Sequence, residues 1–374
     1  MSPQSLPGLY IHVPFCRTKC PYCDFYSCTD MQQVKDFISA LEKERLYYCK
    51  SFPAVDTVYL GGGTPTVLPD DGLALIMTMV RRHVAVAPDA EITLEANPND
   101  LNRERLVRLR SLGFNRLSLG VQSFDDEVLR FLGRRHTAEE ARRSMKQVRQ
   151  AGFENISIDL MYGLPGQKQN NWFATLCEAL RFAPEHLSCY QLTIKEETPF
   201  FARVQEGSVQ PCTEEEQADL FMATSAFLEE HGYCHYEVSN FCRRENLQAR
   251  HNRIYWEHGP YLGLGPSAHS FDGRRRWWNV KPVEGYGSKL KNGLVPVEAE
   301  EELTDEQLRT EALMLGLRTR KGIALDAVPA PPLASRSLER LQAEGLVMVA
   351  SNSIAPTTRG LLMADYVSVV LSTQ

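Results

Sequence analysis

Cys16, Cys20 and Cys23 stand in a C-x3-C-x2-C array directly after the apolar run Leu9–Val13. Thiolates this close together on one short loop can converge on a metal centre. A disulfide would use only two of them. A mononuclear structural zinc site would need a fourth ligand and usually pairs C-x2-C with a distant pair. Three cysteines suit a [4Fe-4S] cluster that keeps one iron free of protein ligands. That iron can take a small molecule chelating through an amine and a carboxylate. The plainer alternative is three thiols on a loop with no metal. Against it stand Pro21, Phe15, Tyr22 and Phe25, which would pack around the loop and dry it.

From the N-terminus to about residue 240, short apolar runs alternate with longer stretches of helical period. Strands are expected at 9–13, 57–60, 92–95, 116–120, 156–160 and 187–192. Helices are expected near 31–50, 70–86, 101–112, 125–132, 137–151, 169–182 and 213–231. Asp30, Asp70, Thr137 and Thr213 supply helix starts, and Gly113 and Gly152 supply stops. Six βα units imply parallel strands with right-handed crossovers. Six strands are too few to close an eight-stranded barrel, so the expected fold is an open, partial (β/α)6 barrel.

In such folds the chemistry collects at the carboxyl ends of the strands, and every strand here ends in something polar or glycine-rich. Strand one runs into the cysteine loop, and strand two into Gly61, Gly62, Gly63 and Thr64. Strands three and four reach Glu95 with Asn97, and Gln122 with Ser123. Strands five and six reach Asp159, and Gln191 with Thr193. Any one of these is explained by a turn or a satisfied core residue; six at one end argue for a shared ligand site. The glycines let backbone approach a ligand that a Cβ would block. Glu95 and Asp159 can accept hydrogen bonds from ribose hydroxyls or an ammonium. Arg134 can pair with a carboxylate.

The chain has 374 residues and a net charge of −6, with 43% hydrophobic and 24% charged residues. These values describe an ordinary soluble protein and give no electrostatic reason to expect a nucleic-acid partner. No run approaches a membrane-spanning length, and the N-terminus lacks the basic and apolar regions of a signal peptide. A cytoplasmic location is expected, where thiols stay reduced. Most of the other seven cysteines read as small core residues. Cys28 is near the array but outside its spacing.

Beyond residue 240 the rhythm breaks. Arg250, His251, Asn252, Arg253, Ile254, Tyr255 and Trp256 precede a glycine-rich stretch from Tyr261 to Ser270 that includes Gly263, Gly265, Pro266 and His269. Histidine beside aromatics can ligate or stack on a planar macrocycle such as haem; a partly buried aromatic cluster explains the same residues. Residues 273–298 read as a linker or exposed excursion. Residues 301–374 read as helix, helix, hairpin and helix, a small winged-helix-like domain. Its few clustered bases favour packing or partner docking over DNA. The expected division is therefore 1–240, 241–300 and 301–374.

Several motifs occur in order: Tyr10 to Cys16, Gly61 to Pro65, Glu95 to Pro98, Leu119 to Phe124, Ile158 to Pro165, Tyr190 to Thr193 and His251 to Trp256. Together they resemble the radical S-adenosylmethionine (SAM) proteins of the oxygen-independent coproporphyrinogen III oxidase family, over nearly the whole chain. The true oxidases of that family carry a fourth cysteine two residues after the third, and an N-terminal extension. Here Phe25 holds that position, and Tyr10 is preceded by nine residues. Those features and the His-Asn-x-x-Tyr-Trp motif resemble the HemW group of haem chaperones.

The resemblance assigns the cluster to Cys16, Cys20 and Cys23. It assigns SAM contacts to Tyr10, Gly62, Gly63, Thr64, Glu95, Gln122, Arg134, Asp159 and Thr193, and a haem contact to His251. It implies haem delivery to haem-requiring apoproteins, with respiratory enzymes as candidate recipients; transient membrane association and a homodimer are compatible with the sequence and left open by it. The alternative is radical decarboxylation of coproporphyrinogen III propionates.

Overall fold

The computed structural model describes residues 6–327 and 333–372. Residues 1–5, on which the signal-peptide reading partly rests, lie outside them. Strands β1 (Gly8–Val13), β2 (Ala54–Gly62), β3 (Ala85–Ala96), β4 (Arg116–Gln122), β5 (Asn155–Tyr162) and β6 (His186–Gln191) lie side by side in sequence order, all parallel. Parallel neighbours need long crossovers. Helices supply them: α1 (Val34–Tyr47), α2 (Asp70–His83), α3 (Arg103–Ser111), α4 (Asp126–Phe131), α5 (Ala138–Gln150) and α6 (Gln169–Leu180). After β6 come α7 (Pro199–Gln205) and α8 (Glu214–Glu230). The helix starts read from Thr137 and Thr213 are capping boxes closed by Glu140 and Glu216.

Alternation along the strands separates the two faces. In β1, Leu9, Ile11 and Val13 are fully buried in the hydrophobic core, and Tyr10 and His12 line a cavity. In the other strands the alternating set is largely polar: Thr57, Glu91, Thr93, Arg116, Ser118, Ser157 and His186 are all buried. The barrel therefore has a polar interior.

The sheet grows at both edges. Next to β6 lie β7 (Cys234–Glu237) and β8 (Asn240–Cys242), antiparallel. After the short helix α9 (Arg250–Trp256), β9 (Tyr261–Leu264) pairs in parallel with the free side of β1. Then β10 (His269–Phe271), β11 (Arg275–Asn279) and β12 (Val297–Glu302) continue the sheet antiparallel. The result is one twelve-stranded sheet, open between β12 and β7.

The stretch 273–298, expected as a linker or exposed excursion, is part of this sheet. Trp277 is 2% exposed and stacks on Tyr48 at 5.6 Å. Helix α10 (Val283–Lys291) packs on α1, where the buried Tyr286 hydroxyl donates to Glu44. The consecutive arginines 274–276 that made the stretch look solvated run directly into the tryptophan that anchors it.

The C-terminal unit comprises α11 (Asp305–Gly316), β13 (Ile323–Ala324), α12 (Leu333–Ala343), β14 (Val347–Ala350), β15 (Ser353–Pro356), α13 (Thr358–Leu362) and α14 (Ala364–Ser372). Its small sheet runs β13-β15-β14 around a separate core of Leu313, Leu317, Leu341, Ile354, Val367 and Leu371.

Candidate cofactor site and its neighbouring cavities

The cysteine loop is clipped at its base. The Cys16 N–H donates to the Cys28 carbonyl at 2.9 Å, and the Cys28 N–H donates to the Pro14 carbonyl at 2.6 Å. Thr64 N–H donates to the Phe15 carbonyl at 2.8 Å, which ties the loop to the glycine turn after β2. Cys16, Cys20 and Cys23 all line one cavity of about 80 Å³. No trio of side chains among the described residues is drawn in as tightly as a single ion needs. A lone zinc would pull each sulfur to about 2.3 Å from one point; a cluster spreads its thiolates over separate irons. Three thiols around one small space fit the cluster.

Burial pushes the Cys16 and Cys23 thiols up from their ordinary range; a bound metal centre reverses that by taking the thiolates. Cys28 is not in this cavity: its sulfur accepts the Asp30 N–H at 3.3 Å. Phe25, at the position of the oxidases' fourth thiol, is 64% exposed.

A larger cavity of about 470 Å³ shares Cys23, Gly62, Gly63, Thr64 and Arg134 with the thiol cavity. It also brings together Glu95, Gln122, Asp159 and Thr193. Of the expected SAM contacts, only Tyr10 is not on its wall. Tyr10 lines a different cavity and its hydroxyl meets His12 Nδ1 at 3.1 Å.

The walls are built for a polar ligand. Gly62 has φ +104, and a Cβ there would meet the His12 ring at 2.5 Å. A Cβ at Gly63 would meet the Phe15 carbonyl at 2.7 Å. Glu95 accepts from Tyr59 at 2.8 Å and from the Gly62 N–H at 3.2 Å. Burial nevertheless holds its carboxyl up at about 7. Asp159 accepts from Ser118 at 3.0 Å, and burial raises it as well. Arg134 donates to the Gly120 carbonyl at 2.6 Å and reaches Cys20 Sγ at 3.6 Å.

Two buried polar atoms here have no partner, Gln122 Oε1 and Arg134 Nε. Gln122 also sits at φ +65, where a non-glycine residue is strained. Orphaned donors and acceptors beside a glycine cradle fit a ligand with amine, carboxylate and ribose groups. The sequence reading missed Tyr59, Ser118 and Tyr190 on this wall. Period-two counting back from Gly61 and from Gln122 places Tyr59 and Ser118 on the inner face, and counting on from the buried polar His186 and Ser188 of β6 places Tyr190 there.

His251 lies below this site on α9. Glu91 of β3 accepts the N–H groups of Arg250 and His251, both at 3.1 Å, and so seats the helix inside the barrel. His251 is 1% exposed and stacks on Tyr59 at 5.0 Å. Its Nδ1 meets Thr57 Oγ1 and its Nε2 meets the Tyr255 hydroxyl, each at 2.7 Å. Burial pushes its pKa down to about 3, so the ring is neutral. The expected haem contact at His251 therefore presents no free ring nitrogen. Its partner Tyr255 is the motif residue that reaches a cavity.

Two further cavities, each about 540 Å³, lie on that side. One is lined by Tyr10, His12, Phe25, Tyr26 and Lys281. The other is largely apolar and lies between β9–β10 and α11, with Phe271, Met314 and Leu315 on its walls. They share Tyr255, Tyr261 and His269. The first also shares Asp24 and Phe25 with the cofactor cavity.

The open parallel barrel and three-thiol loop define a radical SAM protein, and residues 10–176 match the model of the radical SAM superfamily. Residues 303–363 match the HemN C-terminal domain. The protein named heme chaperone HemW of Mycobacterium tuberculosis is 37% identical over 367 residues, covering 96% of this chain and 93% of its own. The heme chaperone HemW of Bacillus subtilis is 36% identical over 323 residues, covering 85% of each. The solved structure of the Escherichia coli coproporphyrinogen III oxidase HemN superposes with a TM-score of 0.83 at 26% identity, covering 99% of this chain and 91% of that one. This chain belongs to the HemW family.

Proposed function

We propose that this chain is a haem chaperone: it binds haem and passes it to haem-requiring apoproteins. The observation that carries the reading is the kinship, over nearly the whole length, with proteins named heme chaperones. The geometry agrees with it. A large aromatic-lined cavity adjoins the cofactor site at Asp24 and Phe25 and opens onto a second, largely apolar one, as a carrier of a flat apolar cargo needs.

A [4Fe-4S] cluster with SAM on its open iron would supply one-electron chemistry at the sulfonium. Cys16, Cys20 and Cys23 would hold the cluster. Gly62, Gly63 and Thr64 would present backbone and hydroxyl groups to the amino-acid end of SAM. Glu95, Gln122, Asp159 and Thr193 would fix its polar groups, and Arg134 would balance charge beside Cys20. In this reading the cofactor site shapes the cargo site across the shared wall at Asp24 and Phe25. His251 serves it indirectly, by holding Tyr255. We place the chain in the cytoplasm, in keeping with ten free cysteines. Among the described residues no helix is long and apolar enough to cross a membrane. The recipients would be haem-requiring enzymes.

The second reading is coproporphyrinogen III oxidase, favoured by the likeness to HemN. Against it, Phe25 cannot supply a thiol, and the nearby Cys28 sulfur is turned to the Asp30 N–H. The test is turnover. Anaerobic, cluster-loaded protein is given SAM, a reductant and coproporphyrinogen III. We expect no protoporphyrinogen above the protein-free control. Sustained formation, abolished by Cys28→Ala, would overturn the chaperone reading.

A further inference from the structure

We propose that the imidazole of His269 is the haem-iron ligand of this chain, an inference that rests on the haem reading above. Of the nine histidines, eight engage a ring nitrogen with a hydrogen-bonding group of the chain. His269 is the exception among the described residues, and it is exposed. It also lies where the two large cavities meet.

The fold holds that ring firmly while leaving its nitrogens open. Strand β10 is pinned from both sides. Ser270 Oγ accepts the Gly263 N–H at 2.9 Å, and His269 pairs in register with Trp278 of β11. The indole of Trp278 stacks on the imidazole at 5.7 Å with 22° between the planes. A ring fixed by stacking, with its nitrogens unengaged, is pre-organised to ligate. The ring is partly desolvated between Trp278 and its neighbours, and this together with Arg276 and Lys281 lowers its pKa, which favours the neutral form that binds metals.

The surroundings suit a flat apolar macrocycle with two carboxylates on one edge. Tyr255 and Tyr261 meet edge to face at 4.7 Å, and Phe271 lies beyond Tyr261. Met314 and Leu315 of α11 face them across the apolar cavity. Lys19 and Lys281 line the other cavity, are exposed, and carry no ion pair among the described residues. They stand where propionates leaving the apolar cavity would find cations. His258, the other histidine of the apolar cavity, is already bonded to Glu311 at 3.1 Å.

The test titrates ferric haem, and separately metal-free protoporphyrin IX, into anaerobic cluster-loaded protein. Wild type is compared with His269→Ala, His269→Gln and His251→Ala. The haem Kd of both His269 variants should rise about tenfold or more, which is about 1.4 kcal/mol. Their Soret band should move, and added imidazole should restore it. Protoporphyrin, having no iron, should bind the His269 variants within about twofold of wild type. His251→Ala, which frees Tyr255, should weaken haem and protoporphyrin alike and leave the Soret band of bound haem in its wild-type position. An unchanged Soret band and Kd in the His269 variants would overturn the assignment, as would an equal loss of haem and protoporphyrin in those variants. Wild type that binds no haem at all would instead sink the haem reading itself.

Discussion

Glu44 is fully buried on α1, yet it organises the turn that precedes His269. It accepts from the Gly265 N–H at 2.8 Å, from Asn279 Nδ2 and from the Tyr286 hydroxyl. Those donors favour the carboxylate, but burial outweighs them and lifts its pKa from 4.5 to about 7. Between those two values the folded chain keeps a proton that the unfolded chain has released. Stability therefore falls as pH rises from about 4.5 to about 7, then levels off. Glu95 and Glu237, held at about 7 by burial, add slopes of the same sign. Glu44→Gln should make the decline shallower. Urea midpoints of holoprotein at pH 5 and pH 8 read this directly. An equal fall in variant and wild type would show that Glu44 is ionised in the folded state.

Among the elements, the β10–β12 extension gives His269, Phe271 and Arg276 to the apolar cavity, and it rests on Trp277. That indole stacks on Tyr48 and carries the Arg275 guanidinium 4.7 Å above its ring. Trp277→Ala should cost about 3–5 kcal/mol of stability. Chemical denaturation measures it; a loss below 1 kcal/mol would mean that the extension does not depend on this anchor. The six βα units were legible in the sequence because long helices with caps and short apolar strands leave strong periodic signals. The extension was not. Its strands are three to six residues long, and a run of three arginines leads into the buried Trp277. Helix α9 was missed for a different reason. It is seven residues long, and a carboxylate from β3, distant in sequence, seats its N-terminus. The thiol array and the strand-end residues Gly62, Glu95, Gln122 and Asp159 were readable because position along a strand implies them. His251 was legible as special but not as buried, because its two partners come from β2 and from its own helix. His269 stands out only through what it lacks, a hydrogen-bond partner, and spacing carries no sign of that.

At the scale of the whole molecule, three cavities are linked one to the next through shared wall residues. The cofactor cavity touches the next through Asp24 and Phe25, and that one touches the apolar cavity through Tyr255, Tyr261 and His269. The C-terminal unit supplies the far wall of the apolar cavity through α11, whereas the middle cavity is walled partly by β1 and the cysteine loop. An oxidase would need the porphyrinogen side chain brought to the cofactor. A carrier needs only a shared wall through which one site senses the other. The most direct test is an equilibrium titration of haem into anaerobic, cluster-loaded wild-type protein, followed by absorbance. The account predicts saturable binding of one haem per chain with a dissociation constant of about 1 μM or tighter, on the order of −8 kcal/mol. Non-saturating absorbance that tracks free haem would contradict it.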